Sequence, residues 1–156
     1  MIKREPEVRY DLVVFDLDVL SDRDVEISAV AVLQELTDLG ATLGLVSRLP
    51  EAGAGAMLAR AQQFFDALEC GDAPRGTAAK VRRIIHRLEF TSDRALLVTA
   101  SVADSATVGE FGASSALLDS DLRRNAASAS RPAHVIAELA DVVDVVCGRP
   151  TLRLVR

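Results

Sequence analysis

Between Asp11 and Val146, short unbroken apolar runs alternate with longer segments whose apolar residues recur every three or four positions. No other feature restricts the fold as much. The run Val13-Val14-Phe15 shows no polar–apolar alternation, so a strand built from it must be covered on both faces. TLGLVS (42–47) and RALLVT (94–99) read the same way. The intervening segments have helical spacing. VEISAVAVLQELTDLG sets Val25, Ala29, Val32, Leu33, Leu36 and Leu39 on one face and closes at Gly40, a suitable C-cap. TAAKVRRIIHRLEF does so with Val81, Ile84, Ile85 and Leu88. Such alternation predicts an α/β fold: a doubly wound, Rossmann-like three-layer sandwich around a mostly parallel central sheet.

The remaining segments complete this pattern. Pro50-Glu51 opens a helix that Gly53 and Gly55 weaken until MLARAQQFF. ALEC is a short strand and GDAPRG a loop. SVADSATVGEFG is helix-like up to Gly112, and SSALLDS is a further strand. RNAASASRP, rich in Ala, Ser and Pro, reads as a loop or linker, and AHVIAELADVVDVV as a short strand and a closing helix. The organisation expected is an N-terminal extension over 1–10, a core domain over 11–146 and a tail over 147–156. The tail GRPTLRLVR is compatible with a disordered end, an added edge strand or a contact with another chain.

Composition narrows the function classes. With 49% apolar and 26% charged residues, the chain of 156 residues is one globular domain. A formal net charge of -5 argues against nucleic acid or an anionic membrane as main partner. No apolar run approaches the ~20 residues of a membrane helix. MIKREPEVRYD lacks the apolar stretch of a signal peptide. Cys70 and Cys147 are too few for a disulfide framework, and the expected location is the cytoplasm.

In open parallel sheets, ligands bind beyond the carboxyl ends of the strands. The polar residues respect that rule. Asp16 and Asp18 end the first strand, Ser47 the second and Thr99 a later one, with Asp104 a turn beyond it. These side chains fall at one edge of the predicted sheet. His86, among Arg82, Arg83 and Arg87, reads as part of a solvated basic face, with a phosphate or RNA patch as the alternative, and His134 opens the last strand in an expected structural role.

Order and spacing here resemble the haloacid dehalogenase-like superfamily, over about Asp11 to Val146. The resemblance rests on FDLDVL, an apolar strand with Asp-x-Asp, on LGLVS, a strand ending in Ser, and on a lysine near a helix start, Lys80. Its fourth part is LLVTASVADSATVGEFGA, with Asp104 in the second acidic position and Gly112 eight residues later. The resemblance implies a magnesium-dependent phosphatase. Asp16 would attack phosphorus to give an aspartyl-phosphate, and Asp18 would act as acid and base. Ser47 would bond a phosphoryl oxygen, and Lys80 would neutralise charge. Asp16, Asp18 and Asp104 would hold Mg²⁺.

The chain departs from the family pattern in two places. The usual Gly-Asp pair is Thr99-Ala100, and alanine offers no oxygen to a metal. The usual Gly-Lys-Pro is replaced by Arg75-Gly76-Thr77-Ala78, with Lys80 three residues beyond Thr77, inside the helix. The intervals from Asp16 to Ser47 and from Ser47 to Lys80 are consumed by core elements, leaving no room for a cap domain. An uncapped site implies a phosphorylated substrate that reaches an open pocket, or closure by a second copy or a protein partner. Two functions follow: a phosphohydrolase of weak metal affinity, or a catalytically impaired relative acting as a binding or regulatory module. A receiver-type signalling domain ranks third, since Asp-x-Asp lies on the first strand and no lysine follows Lys80.

Overall fold

A computed structural model describes residues 8–20, 23–71, 76–118 and 134–149. RNAASASRP, residues 72–75 of GDAPRG and the tail from residue 150 lie outside them. Six strands form one parallel sheet: β1 (Leu12–Asp16), β2 (Thr42–Val46), β3 (Ala67–Glu69), β4 (Ala95–Thr99), β5 (Ser114–Leu118) and β6 (His134–Ile136). Their spatial order is β3-β2-β1-β4-β5-β6. β1 is therefore central, paired with β2 from Leu12↔Thr42 to Asp16↔Val46 and with β4 from Leu12↔Ala95 to Phe15↔Val98. The sheet is parallel throughout, which sharpens the expected mostly parallel one.

Alternation along the strands assigns each face its own core. Val13, Phe15, Leu43, Leu45, Leu96 and Val98 pack with α1 (Arg23–Asp38) and α5 (Asp141–Val146). Ala29, Val32, Leu33 and Leu36 of α1 are buried there, as their spacing predicts, and Leu39 is half-buried. The side chain of Val25 lies outside the described residues. Leu12, Val14, Val46, Ala95 and Leu97 meet α3 (Gly76–Arg87) and α4 (Val102–Gly109) through Val81, Ile84, Ile85 and Val108. Within β2, Gly44 leaves space for this contact. A Cβ there would stand 3.1 Å from Ile84 Cγ2. Close approach of α3 to the sheet carries Lys80, one turn before Ile84, towards the strand ends.

The second helical segment differs from expectation. The α-helix α2 is Glu51–Leu58, spanning the glycines, and the chain tightens to 3₁₀ over Ala59–Phe64. Burial of Ala54 and Leu58 in the core outweighs the ~1 kcal/mol that each helical glycine costs. Gly40 (φ 88°) and Gly112 (φ 89°) occupy the left-handed region after α1 and α4, where a side chain would be strained. Gly112 thus serves the turn into β5.

Tyr10, just before β1, is buried and its hydroxyl lies 2.8 Å from His134 Nε2, at the start of β6. Burial, and secondarily the Arg9 charge, hold the His134 imidazole below its usual range. Arg94 binds both Asp11 oxygens, at 2.9 and 3.1 Å, and the Val8 carbonyl at 2.6 Å. Among the described residues, no helix is long and apolar enough to cross a membrane. Cys70 and Cys147 are both free thiols.

Candidate active site

Asp16 is the last residue of β1, and Thr99 the last of β4. Each continues the row of side chains that faces α3 and α4, so both point to the same side at neighbouring strand ends. The Asp16 carboxylate is tethered at both oxygens. Oδ1 accepts from the Asp18 N–H at 3.2 Å, and Oδ2 accepts from the Thr99 hydroxyl at 3.4 Å. Burial raises the Asp16 carboxyl above its ordinary value, and the Asp18 and Asp104 charges push the same way. The Asp18 N–H and the Thr99 hydroxyl oppose that rise. Asp18 itself is exposed, in a 3₁₀ turn over Leu17–Val19 that Asp16 caps.

Ser47 follows β2 and is buried, 4% exposed. Its main-chain N–H continues the sheet by donating to the Glu69 carbonyl at 3.0 Å. Its Oγ accepts from the Leu49 N–H at 3.0 Å, which leaves the hydroxyl hydrogen free to donate. Lys80 is 3% exposed, and its ammonium donates to the Ser47 carbonyl at 2.8 Å and to the Gly71 carbonyl. The fifth residue of α3 thus reaches back to the β2 end along its long apolar stem. Of three ammonium donors, two are engaged and one remains.

The loop after β4 is organised by hydroxyls. Thr99 Oγ1 also accepts from the Ser101 N–H at 3.0 Å. Ser101 caps α4, its Oγ accepting from the Asp104 N–H at 3.2 Å. Ala100, between them, is exposed. Sequence reasoning assigned no role to Ser101, although Ser-x-x-Asp ahead of a helix is a capping signature that would have found it. It named Thr99 as a strand end and as the residue in place of the family's glycine, with no role for its hydroxyl.

Among the described residues, no group of three His, Cys, Asp or Glu side chains stands close enough to cage a metal ion. A hard Mg²⁺ does not need such a cage. It binds through one or two carboxylates when substrate phosphate and water complete its octahedron. Asp16 offers one carboxylate of that kind at the strand ends, and the Asp104 charge acts on it.

No family model and no curated protein matches the chain. Solved structures do. An L-2-haloacid dehalogenase from Xanthobacter autotrophicus, with chloropropionic acid covalently bound, shares 18% identity at a TM-score of 0.64 over 79% of this chain. A haloacid dehalogenase-like family hydrolase from Streptococcus pneumoniae shares 10% at 0.67, covering 88% of this chain and 98% of its own. A predicted phosphoglycolate phosphatase from Haemophilus somnus 129pt shares 16% at 0.62 over 79% of this chain. This chain spans 61% of the length of the first and 56% of the third. At these identities the likeness is one of fold. The chain has the haloacid dehalogenase-like fold, as the Asp16–Asp18 motif implied.

Proposed function

We propose that this chain is a phosphohydrolase that cleaves phosphomonoesters through an aspartyl-phosphate at Asp16. One observation carries the reading: a half-buried carboxylate, a free hydroxyl hydrogen on Ser47 and the spare ammonium donor of Lys80 sit at neighbouring strand ends. Hydrolases of the same fold, one of them a predicted phosphatase, support it.

An Asp16 oxygen forms a bond to phosphorus as the ester P–O bond breaks, and the leaving alkoxide takes the Asp18 proton. Asp18, now ionised, then removes a proton from water. The water oxygen attacks phosphorus, releasing Asp16 and inorganic phosphate. Ser47 and Lys80 donate to phosphoryl oxygens and orient the group being transferred. Their positions are fixed before substrate arrives, since Lys80 is already tied to Ser47. Mg²⁺ held by Asp16 and Asp104 would screen the repulsion between a carboxylate and a phosphate dianion. Exposure of Asp18 and Ala100 leaves the pocket open, which suits a large phosphorylated substrate, a second copy or a protein partner as its cover.

The test is release of phenol from an aryl phosphate by the full chain with Mg²⁺ present. Turnover that Asp16→Asn abolishes is expected. No turnover at high Mg²⁺ overturns the reading.

A further inference from the structure

The site contains a group that the phosphatase pattern does not call for. Where that pattern has glycine, this chain has Thr99, fully buried at the end of β4. Its hydroxyl is not idle. One lone pair accepts from the Ser101 N–H at 3.0 Å, which turns the hydroxyl hydrogen away from the loop. That hydrogen faces Asp16 Oδ2, 3.4 Å from the donor oxygen. β-Branching restricts the Thr99 χ1 angle, so the hydroxyl is held in place by its own side chain.

We infer that Thr99 is a positioning residue for Asp16, aiming the carboxylate by holding Oδ2 while the Asp18 N–H holds Oδ1. Three consecutive hydrogen bonds make the arrangement. Asp104 N–H donates to Ser101 Oγ, Ser101 N–H donates to Thr99 Oγ1, and Thr99 O–H donates to Asp16. Helix α4 is thereby linked to the carboxylate through two hydroxyl side chains. Glycine at position 99 would break the chain, because it offers neither acceptor nor donor beyond the backbone. At 3.4 Å the Asp16–Thr99 contact is longer than the ~2.7 Å of a strong hydroxyl bond, so it orients the carboxylate together with the Asp18 N–H rather than alone. The role of Thr99 in turnover rests on Asp16 being the nucleophile. Its role in orienting the carboxylate does not.

Two variants and one measurement on the unmodified chain separate these. Three-bond couplings from the Asp16 carboxyl carbon to its own N and C′ report χ1 by NMR. They are expected to show one rotamer in the wild type, rotamer averaging in Thr99→Val, and one rotamer again in Thr99→Ser. With aryl phosphate, Thr99→Val is expected to lower kcat about tenfold, the effect of one lost hydrogen bond, with KM within about twofold. Thr99→Ser restores kcat. The inference is overturned if wild-type Asp16 populates several rotamers, if Thr99→Val leaves it fixed, or if Thr99→Ser behaves as Val does. A wild type without turnover defeats the phosphohydrolase reading alone, since the couplings still decide the role of Thr99.

Discussion

The Lys80 ammonium lies 2.8 Å from the Ser47 carbonyl oxygen, and this bond joins the start of α3 to the end of β2. It bears on stability and on the turnover proposed for this site. Lys80→Met keeps the stem but leaves two carbonyls, those of Ser47 and Gly71, without their donor. We expect a loss of about 1–3 kcal/mol in urea denaturation, the cost of buried groups left unpaired. Aryl phosphate turnover should vanish as well. Lys80→Arg should not restore it, because a planar guanidinium cannot repeat the tripod of an ammonium.

Asp16 predicts an unusual pH dependence. Burial raises its folded-state carboxyl above the ordinary value of 3.8, so its contribution to stability is full below that value. That contribution is lost as pH rises through the raised folded value. Asp16→Asn removes the penalty. Its Tm at pH 7 should exceed that of the wild type. The difference should shrink as pH falls towards 3.8 in thermal melts.

Asp11 predicts the opposite sign. Its hydrogen bond to Arg94 holds the carboxyl below its ordinary range, so the pair stabilises above 3.8 and is lost as pH falls through the lowered folded value. Asp11→Asn should therefore cost stability at pH 7 and nothing at strongly acidic pH. The pair is partly exposed, which limits the loss to about 0.5–1 kcal/mol. Chemical denaturation at two pH values measures it.

Ala100 is the position at which metal affinity should be gained. Ala100→Asp adds a hard oxygen ligand to the loop that follows β4, and Mg²⁺ binding should tighten at least about tenfold in calorimetric titration. Aryl phosphate turnover should saturate at correspondingly lower Mg²⁺. Unchanged affinity would show that residue 100 does not face the cation.

Much of the frame is legible in the sequence for one physical reason. Strands buried on both faces must be continuously apolar, so Leu12–Asp16 and Ala95–Thr99 announce themselves, along with the polar residues that end them. Ser47 and Asp16 are legible on that ground alone. Lys80 is only half so, because its identity is local while its reach to Ser47 depends on how closely α3 approaches Gly44. The split of residues 51–64 into α-helix and 3₁₀ turn is not legible, since glycine propensity points one way and burial of Ala54 and Leu58 the other. The tether of Asp16 by Thr99 is hidden for a different reason. It joins residues 83 apart in the chain, and no local pattern encodes it.

That separation also sets when the site comes into being. Pairing β1 with β2 needs only the intervening helix, whereas pairing β1 with β4 closes a loop from Leu12 to Ala95 and is correspondingly slow. During synthesis, a chain extended only through α3 already contains Asp16, Ser47 and Lys80. It lacks the strand whose last residue aims the carboxylate. The contact between Asp16 and Thr99 thus forms only once β4 is inserted, so the arrangement around this carboxylate is completed late in folding.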